Sequence, residues 1–369
     1  MIITSLRLHQ FRNYRDACFS FPQSVVVLHG SNGQGKTNLL EALYMGSIGK
    51  SYRNGSDNDC LHWEAGEGSI IIGFQRGGVE EEVKIVLSRE DKKAIFVNGT
   101  NVKHRELIGT LQAVIFSPDD LQLIKGSPSL RRRFLDMEIS QVSPAYYKTL
   151  LQYNRSLAQR NFLLKQMKYT DRRSLTEWDR QIARFAAQIT AKRLDSLHKI
   201  AFLSGVIHRR LTGSSENLSL SYMQPYVEDG RRHEGQRRDE EWYFSLLQHN
   251  LDADIQRMST SVGPHRDDLV FAVDGAELKR YGSQGQQRTA VLALKMSELE
   301  YIKSESGEYP VLLLDDVMSE LDQKRRQGLL DFVRSRIQTF ITTTEPGMFQ
   351  TVKDCRFIGI ERGKAVQRD

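Results

Sequence analysis

Gly30-Ser31-Asn32-Gly33-Gln34-Gly35-Lys36-Thr37 satisfies G-x-x-x-x-G-K-[ST] at every fixed position. Each fixed residue answers a need of phosphate chemistry. Glycines let successive backbone N–H groups turn inward around an anion, and the helix that follows points its positive dipole end at it. Lys36 would reach the β- and γ-phosphates of a nucleotide, and the Thr37 hydroxyl would ligate Mg²⁺. Two acids, Asp315 and Asp316, close the apolar run Val311-Leu312-Leu313-Leu314. In a P-loop fold such a strand lies beside the strand that feeds the loop. Its first acid then holds Mg²⁺ through water and its second polarises the attacking water. An apolar strand ending in solvated carboxylates is common, so the loop is what gives this pair its meaning. Upstream, Tyr281-Gly282-Ser283-Gln284-Gly285-Gln286-Gln287-Arg288 opens a helix. Two readings stand there, an ordinary N-cap at Ser283 and a second anion site.

Elements of the right kind flank these residues. Val25-Val26-Val27-Leu28 reads as a buried strand entering the loop, and Leu39, Leu40, Leu43 and Tyr44 recur at helical spacing within Lys36–Ser47. Residues 2–8 and 17–29 read as strands around the turn Arg12-Asn13-Tyr14-Arg15. The β-rich runs 69–74, 82–87 and 94–97, with hairpin signals at Gly77-Gly78 and Asn98-Gly99, predict an antiparallel sheet inserted beside the nucleotide core. Ala113–Phe116 is a short buried strand. Spacing then predicts two long helices, about 143–167 and 175–211, broken at Tyr169-Thr170-Asp171; the longer spans roughly 54 Å. That pair is either a projecting arm or a helical bundle capping the core. The polar run 230–241 is expected as a loop and 239–256 as a helix. Strands at 269–273, 311–315, 338–342 and 357–360, with helices at 284–305 and 324–334, return the chain to α/β. The expected domains are residues 1–142 and 257–369, forming one split α/β head, and 143–256, a mainly helical arm.

With 369 residues, 39% hydrophobic and 27% charged, the composition is that of a soluble, multidomain globular chain. Lys plus Arg (52) exceed Asp plus Glu (46), and the excess sits in Arg172–Arg210, which holds nine basic and three acidic residues. An anionic partner for that segment follows. Cys18, Cys60 and Cys355 are too far apart in sequence for a disulfide framework or a CxxC metal pair, which suits a reducing cytoplasm. The start Met1-Ile2-Ile3-Thr4-Ser5-Leu6 lacks a basic leader, and no apolar run approaches the ~18 residues a membrane span needs, so no membrane association is expected.

The order of motifs narrows the class. The P-loop, then Ser283-Gln284-Gly285-Gln286, then 32 residues later Asp315-Asp316, then Ser319-Glu320-Leu321-Asp322, resembles the ABC-type ATPases. Lys36 and Ser283 are 247 positions apart with the helical pair between them, a layout similar to the SMC-like branch of that class. Within it the chain resembles the RecF family of bacterial recombination mediators over essentially its whole length. The motifs that carry the resemblance are Leu8–Tyr14, the P-loop, Lys50-Ser51-Tyr52-Arg53, Phe116–Leu121, Arg131–Asp136, Gly263–Leu269, Ser283–Arg288 and Leu314–Asp322. It implies an ATP- and Mg²⁺-dependent head fold with Lys36, Asp315 and Asp316 catalytic and Thr37 and Asp315 serving the metal. It also implies a composite site in which Ser283, Gln284, Gly285 and Gln286 contact ATP held by a second copy. Arg12 and Asn13 resemble the segment that reaches the phosphates in this branch; the alternative is a surface turn. The implied partners are double-stranded DNA at gaps and junctions, a second copy of the chain in the presence of ATP, RecO and RecR, and RecA indirectly, all in the cytoplasm.

Departures from the general ABC pattern are local. The second acid is Asp316 where Glu is usual, which suits slow hydrolysis. The glutamine expected after Phe116 is replaced by Ser117-Pro118, with Asp119 and Asp120 as substitutes, and the late histidine by Thr342-Thr343-Thr344. His265 reads as a base or ligand, or as a packed histidine. Arg131–Arg133 read as structural, and Arg172, Arg173, Arg184 and Arg193 either as phosphate contacts or as a solvated helix face. A transporter-type ATPase subunit and a DNA clamp without turnover are the competing functional readings.

Overall fold

Val25-Val26-Val27-Leu28 and Val311-Leu312-Leu313-Leu314 contain no polar side chain, so each must be covered on both faces. In the computed structural model, which describes residues 1–22, 24–53, 55–166, 173–226, 233–234, 236–334, 336–349 and 355–366, both are interior strands of one sheet. Its strand order is Lys364–Val366, Cys355–Glu361, Val25–His29, Thr339–Thr343, Val311–Asp315, Ala113–Phe116, parallel except for the terminal hairpin. The expected adjacency of loop strand and acid strand is thereby corrected. Thr339–Thr343 lies between them, with Thr342 in register with Leu28 on one side and Asp315 on the other. All five of its residues are buried, which only an interior position provides.

The run 17–29, expected as one strand, is two. Tyr14–Ser20 pairs with Ile2–Phe11, whereas Val25–His29 joins the parallel sheet. Pro22 between them lacks the N–H that a continuous ladder would need. The antiparallel sheet has the order Tyr14–Ser20, Ile2–Phe11, Glu67–Arg76, Val79–Ser88, Ala94–Val97, Thr100–Val102. Both expected hairpins are present, Arg76 facing Val79 and Val97 facing Thr100. Both carry positive φ at the two turn positions (55° and 80°; 50° and 78°), as the right-handed strand twist favours. The helix Lys36–Ile48 shares one apolar core with both sheets: Leu39, Leu40, Leu43 and Met45 cluster with Ile70 and Ile72 and with Leu313 and Phe340. A Cβ on Gly46 would lie 2.2 Å from Ile72 Cδ1, so glycine is what lets helix and sheet approach this closely.

Contacts divide the chain into two compact units, Met1–Asp120 with Glu298–Asp369, and Leu121–Ser297. The second is therefore wider than the 143–256 read from the sequence. It gains Pro128–Val142, which packs on the strand Asp268–Val273, and that strand itself, which pairs with Leu218–Gln224. Its longest helix, Arg173–Thr212, has 40 residues, about 60 Å of rise. Within its unit it packs along Pro128–Val142, Pro144–Lys165, Leu218–Gln224 and Glu240–His249, so it belongs to a bundle with a small sheet, not a bare two-helix pair. The helix expected over 239–256 is two, Glu240–His249 and Leu251–Arg257. Asn250 stands between them, donating its side-chain amide to Leu246 O at 2.8 Å and so competing with the backbone ladder. In the expected loop 230–241, His233–Glu234 pairs with Met223 and Gln224; residues 230–232 and 235 lie outside the described residues, as does the break at Tyr169–Asp171. Among the described residues no helix is long and apolar enough to cross a membrane.

Candidate nucleotide site

The loop Gly30–Gly35 adopts the backbone its glycines permit, with φ of 144°, 78° and 115° at Gly30, Gly33 and Gly35. The first and last are also sterically required. A Cβ on Gly30 would meet Ile360 O at 2.4 Å, and one on Gly35 would meet the Asn13 side chain at 2.7 Å. Gly35 caps the helix without any side-chain hydrogen bond. The first-turn N–H groups are thus left to an anion arriving at the positive end of the dipole. Ser31, Asn32 and Gly33 are exposed, and a cavity of about 1000 Å³ opens beside the loop, lined by His29, Gly30, Ser31, Gln34, Thr344 and Pro346 among others. Lys36 folds back over the loop, donating to Gly30 O at 2.6 Å and Ser31 O at 2.9 Å. Desolvation lowers its pKa, while the charges of Asp316 and Asp315 work against that shift.

The structure brings Thr37 and Asp315 together from 278 positions apart: Thr37 Oγ1 donates to Asp315 Oδ1 at 2.8 Å. Thr342 Oγ1 donates to the same oxygen at 3.0 Å and accepts from Asp316 N at 2.8 Å. The Tyr52 hydroxyl donates to Asp315 Oδ2 at 2.8 Å. Asp316, with φ of 53°, holds a left-handed conformation and an exposed side chain, and its carbonyl accepts from Ser319 Oγ at 2.7 Å. Two hard oxygens 2.8 Å apart fit Mg²⁺. Among the described residues no cluster of three His, Cys, Asp or Glu forms a metal cage. A hard cation here therefore needs phosphate oxygens and water to complete its shell, as Mg²⁺ commonly does in nucleotide sites.

Asn13 lies against the loop, donating to Gln34 O at 2.9 Å and accepting from Asn38 Nδ2 at 2.8 Å. Arg12 is engaged differently: its guanidinium grips Glu41 through Nε and Nη2 and donates to Asp59 O at 2.5 Å. Glu41 also accepts from Ser51 Oγ at 2.5 Å and lies 3.7 Å from Arg53. In the other unit, Ser283 and Gln286 form a reciprocal capping box (Gln286 N to Ser283 Oγ, 3.2 Å; Ser283 N to Gln286 Oε1, 3.0 Å). Ser283, Gln284 and Gly285 remain exposed, and a Cβ on Gly285 would meet nothing closer than Ser283 Oγ at 3.9 Å. The N-cap reading and an open face for a ligand are thus compatible.

Other singled-out residues resolve as follows. His265 Nε2 faces Thr260 O at 3.1 Å and so carries the proton, leaving Nδ1 to accept from Tyr153 OH at 2.6 Å. Desolvation pushes its pKa down to about 4, which makes it a neutral, hydrogen-bonded histidine. Arg131 pairs with both oxygens of Asp268 at 2.7 and 3.0 Å and is structural. Asp120 caps its own turn, accepting from Ser117 N at 2.7 Å. Arg193, expected with the other arm arginines either as a phosphate contact or on a solvated helix face, is corrected on both counts. It is buried, bonded to both oxygens of Asp136 at 2.8 and 2.9 Å and to Pro264 O at 2.6 Å. It shares the buried helix face of Ile182, Ala186, Ile189, Leu197 and Ile200. Arg173 and Arg184 are exposed; Arg172 lies outside the described residues. Sequence reasoning missed Glu41, Tyr52 and Thr342 as partners of the site, although Tyr52 stood in a quoted motif and Thr342 marked the missing histidine.

The family model described as RecF/RecN/SMC N terminal domain matches residues 2–367. A curated relative from Alkaliphilus oremlandii, described as DNA replication and repair protein RecF, is 43% identical over 357 residues, 96% of each chain. A solved structure described as the recombination mediator protein RecF with ATP in the RecFOR pathway matches with a TM-score of 0.90 at 33% identity, covering 100% of this chain and 98% of the other. An Smc head bound to the C-winged helix domain of ScpA matches at 15% identity with a TM-score of 0.57, covering 99% and 98%, and shares the fold. From residue 2 to residue 367 this chain is an SMC-like ATPase of the DNA replication and repair class, and it belongs to the RecF family.

Proposed function

We propose that this chain is an ATP-operated, sequence-independent DNA-binding switch for recombinational repair in the cytoplasm. The observation that carries the reading is the Thr37–Asp315 contact at 2.8 Å, beside a helix start with no side-chain cap. A hydroxyl, a carboxylate and free N–H donors converge where a nucleotide's metal and phosphates would lie. When bound, Mg²⁺ would neutralise charge on the β- and γ-phosphates. Thr37 and Asp315 would hold it, Lys36 would leave its loop carbonyls for phosphate oxygens, and Asn13 would keep the loop wall in place. Arg12 would contribute positive potential from its fixed position on Glu41. Asp316 would orient the attacking water, with a reach shorter than that of glutamate and hence a low rate.

The exposed Ser283–Gly285 turn supports a site completed by a second copy. Ser283 Oγ uses a lone pair for its cap and keeps its proton to donate outward. Closure of two copies on ATP would then grip duplex DNA through exposed basic residues such as Arg184, with binding that falls steeply with salt. Hydrolysis would reopen the dimer. Cooperation with RecO and RecR, and through them help in loading RecA at gapped duplex, follows from membership of the family; the ATP-bound relative is described as acting in the RecFOR pathway.

The test is molar mass in solution by light scattering, with and without Mg-ATP, on the wild type and Ser283→Arg. Doubling in the wild type alone is the expected result. A wild type that stays monomeric under saturating ATP, or a Ser283→Arg variant that still doubles, would overturn the composite site.

A further inference from the structure

Among the described residues, the Asp315 carboxylate is held by hydroxyls alone. Oδ1 takes Thr37 and Thr342 at 2.8 and 3.0 Å, and Oδ2 takes Tyr52 at 2.8 Å. Neither threonine can do the tyrosine's work. Both contact only the first oxygen, Thr37 at 2.8 Å and Thr342 at 3.0 Å. Among the described residues Tyr52 is the sole side chain bonded to Oδ2. Its phenol is suited to the part. At 2.8 Å from a carboxylate oxygen, which can only accept, the phenol is the donor.

The backbone that carries Tyr52 is pinned from both sides. Ser51 Oγ donates to buried Glu41 at 2.5 Å and accepts from Arg53 N at 2.9 Å, while Arg53 donates to Asn38 at 3.0 Å. The ring rests edge-on against Tyr44 of the P-loop helix, with centroids 5.7 Å apart and an interplanar angle of 83°. The phenol oxygen is therefore fixed by the same helix that carries Thr37. A group that orients a metal-binding carboxylate commonly changes metal affinity 10–100-fold when removed.

We infer that Tyr52 is a positioning residue of the nucleotide site: its hydroxyl fixes the Asp315 carboxylate so that Oδ1, not Oδ2, is presented to Thr37 and the divalent cation. This rests on the nucleotide-site reading above.

Mn²⁺ binding followed by electron paramagnetic resonance, with one equivalent of ATP per chain, tests it in Tyr52→Phe and Tyr52→Leu. The phenylalanine keeps the ring against Tyr44 and removes only the donor. Both variants should weaken Mn²⁺ binding about ten-fold or more. ATP affinity in EDTA and the melting temperature of Tyr52→Phe should stay near the wild type. Wild-type Mn²⁺ affinity in Tyr52→Phe, with Tyr52→Leu alone impaired, would make Tyr52 a packing residue and overturn the inference. Failure of the wild type itself to bind Mn²⁺ with ATP would instead overturn the nucleotide-site reading, and this inference with it.

Discussion

Glu41 has no exposed surface, yet both its oxygens are taken by one guanidinium: Oε1 by Arg12 Nη2 at 2.6 Å and Oε2 by Arg12 Nε at 2.8 Å. The pair ties the turn after the first strand to the second turn of the P-loop helix. Removing one partner of a buried pair costs more than the pair contributes, because a desolvated charge is left behind. Arg12→Ala should therefore destabilise the protein by roughly 3 kcal/mol in urea titration. Arg53→Ala, which removes an exposed arginine 3.7 Å from Glu41, should cost under about 1 kcal/mol. If Arg12 instead works chiefly on phosphate, Arg12→Ala will lose ATP affinity with its urea midpoint unchanged.

The three loop glycines are not equivalent. Gly30 and Gly35 combine positive φ with occupied space (2.4 Å to Ile360 O; 2.7 Å to Asn13), whereas nothing lies within 4 Å of a Cβ on Gly33. Alanine at position 30 must push on backbone, at position 35 on an amide that can turn, and at position 33 only against its own φ of 78°. Losses of ATP affinity should rank Gly30→Ala, Gly35→Ala, Gly33→Ala, with position 33 costing about 1 kcal/mol of strain. Isothermal titration of each variant gives the order; equal effects at 30 and 33 would show that the Ile360 contact does not govern the loop.

Two groups close in sequence, His265 and Asp267, push the acid response in opposite directions. Desolvation lowers His265 from 6.5 to about 4, so the unfolded chain binds its proton first and stability falls as pH drops from 6.5 towards 4. Desolvation raises Asp267 from 3.8 to about 6, so the folded chain binds that proton first and stability rises as pH drops from 6 towards 3.8. Each is worth on the order of 3 kcal/mol when complete, so they largely offset in the wild type. Asp267→Asn should expose the contribution of His265. Its deficit relative to the wild type, read by urea titration, should grow between pH 6 and 4, and a deficit independent of pH would count against a raised Asp267.

What was legible in the sequence was whatever a local pattern encodes. Gly30–Thr37 and Val311–Asp316 announce themselves because a phosphate loop needs glycines in order and an interior strand needs unbroken apolar residues. Contacts that link distant segments carry no such mark. Nothing in Tyr52 says that its hydroxyl meets Asp315, 263 positions away. Thr342 was read as an absent histidine because the strand order that sets it against Asp315 is not written in either segment. Arg193 is a different case. It falls at helical spacing on the line of Ile182, Ala186, Ile189, Leu197 and Ile200, so periodicity marked it as inward, and the basic composition of the segment obscured that.

Thr342 now has a definite part. Its hydroxyl has one proton, given to Asp315 Oδ1 at 3.0 Å, and it takes the Asp316 N–H at 2.8 Å. It thereby orients the first acid and holds the left-handed backbone of the second, linking the carboxylate proposed to hold Mg²⁺ to the residue proposed to orient water. Valine is nearly isosteric but leaves that N–H without its partner, at a cost of about 1–3 kcal/mol. It also frees Asp316 to relax out of φ 53°. Thr342→Val should therefore lower the steady-state ATPase rate at least about ten-fold while ATP affinity changes little, and Thr342→Ser, which keeps both bonds, should restore it. The split between rate and affinity decides the matter. A valine variant with wild-type turnover removes Thr342 from the hydrolytic apparatus, and one that loses ATP binding as well makes it a support of the sheet.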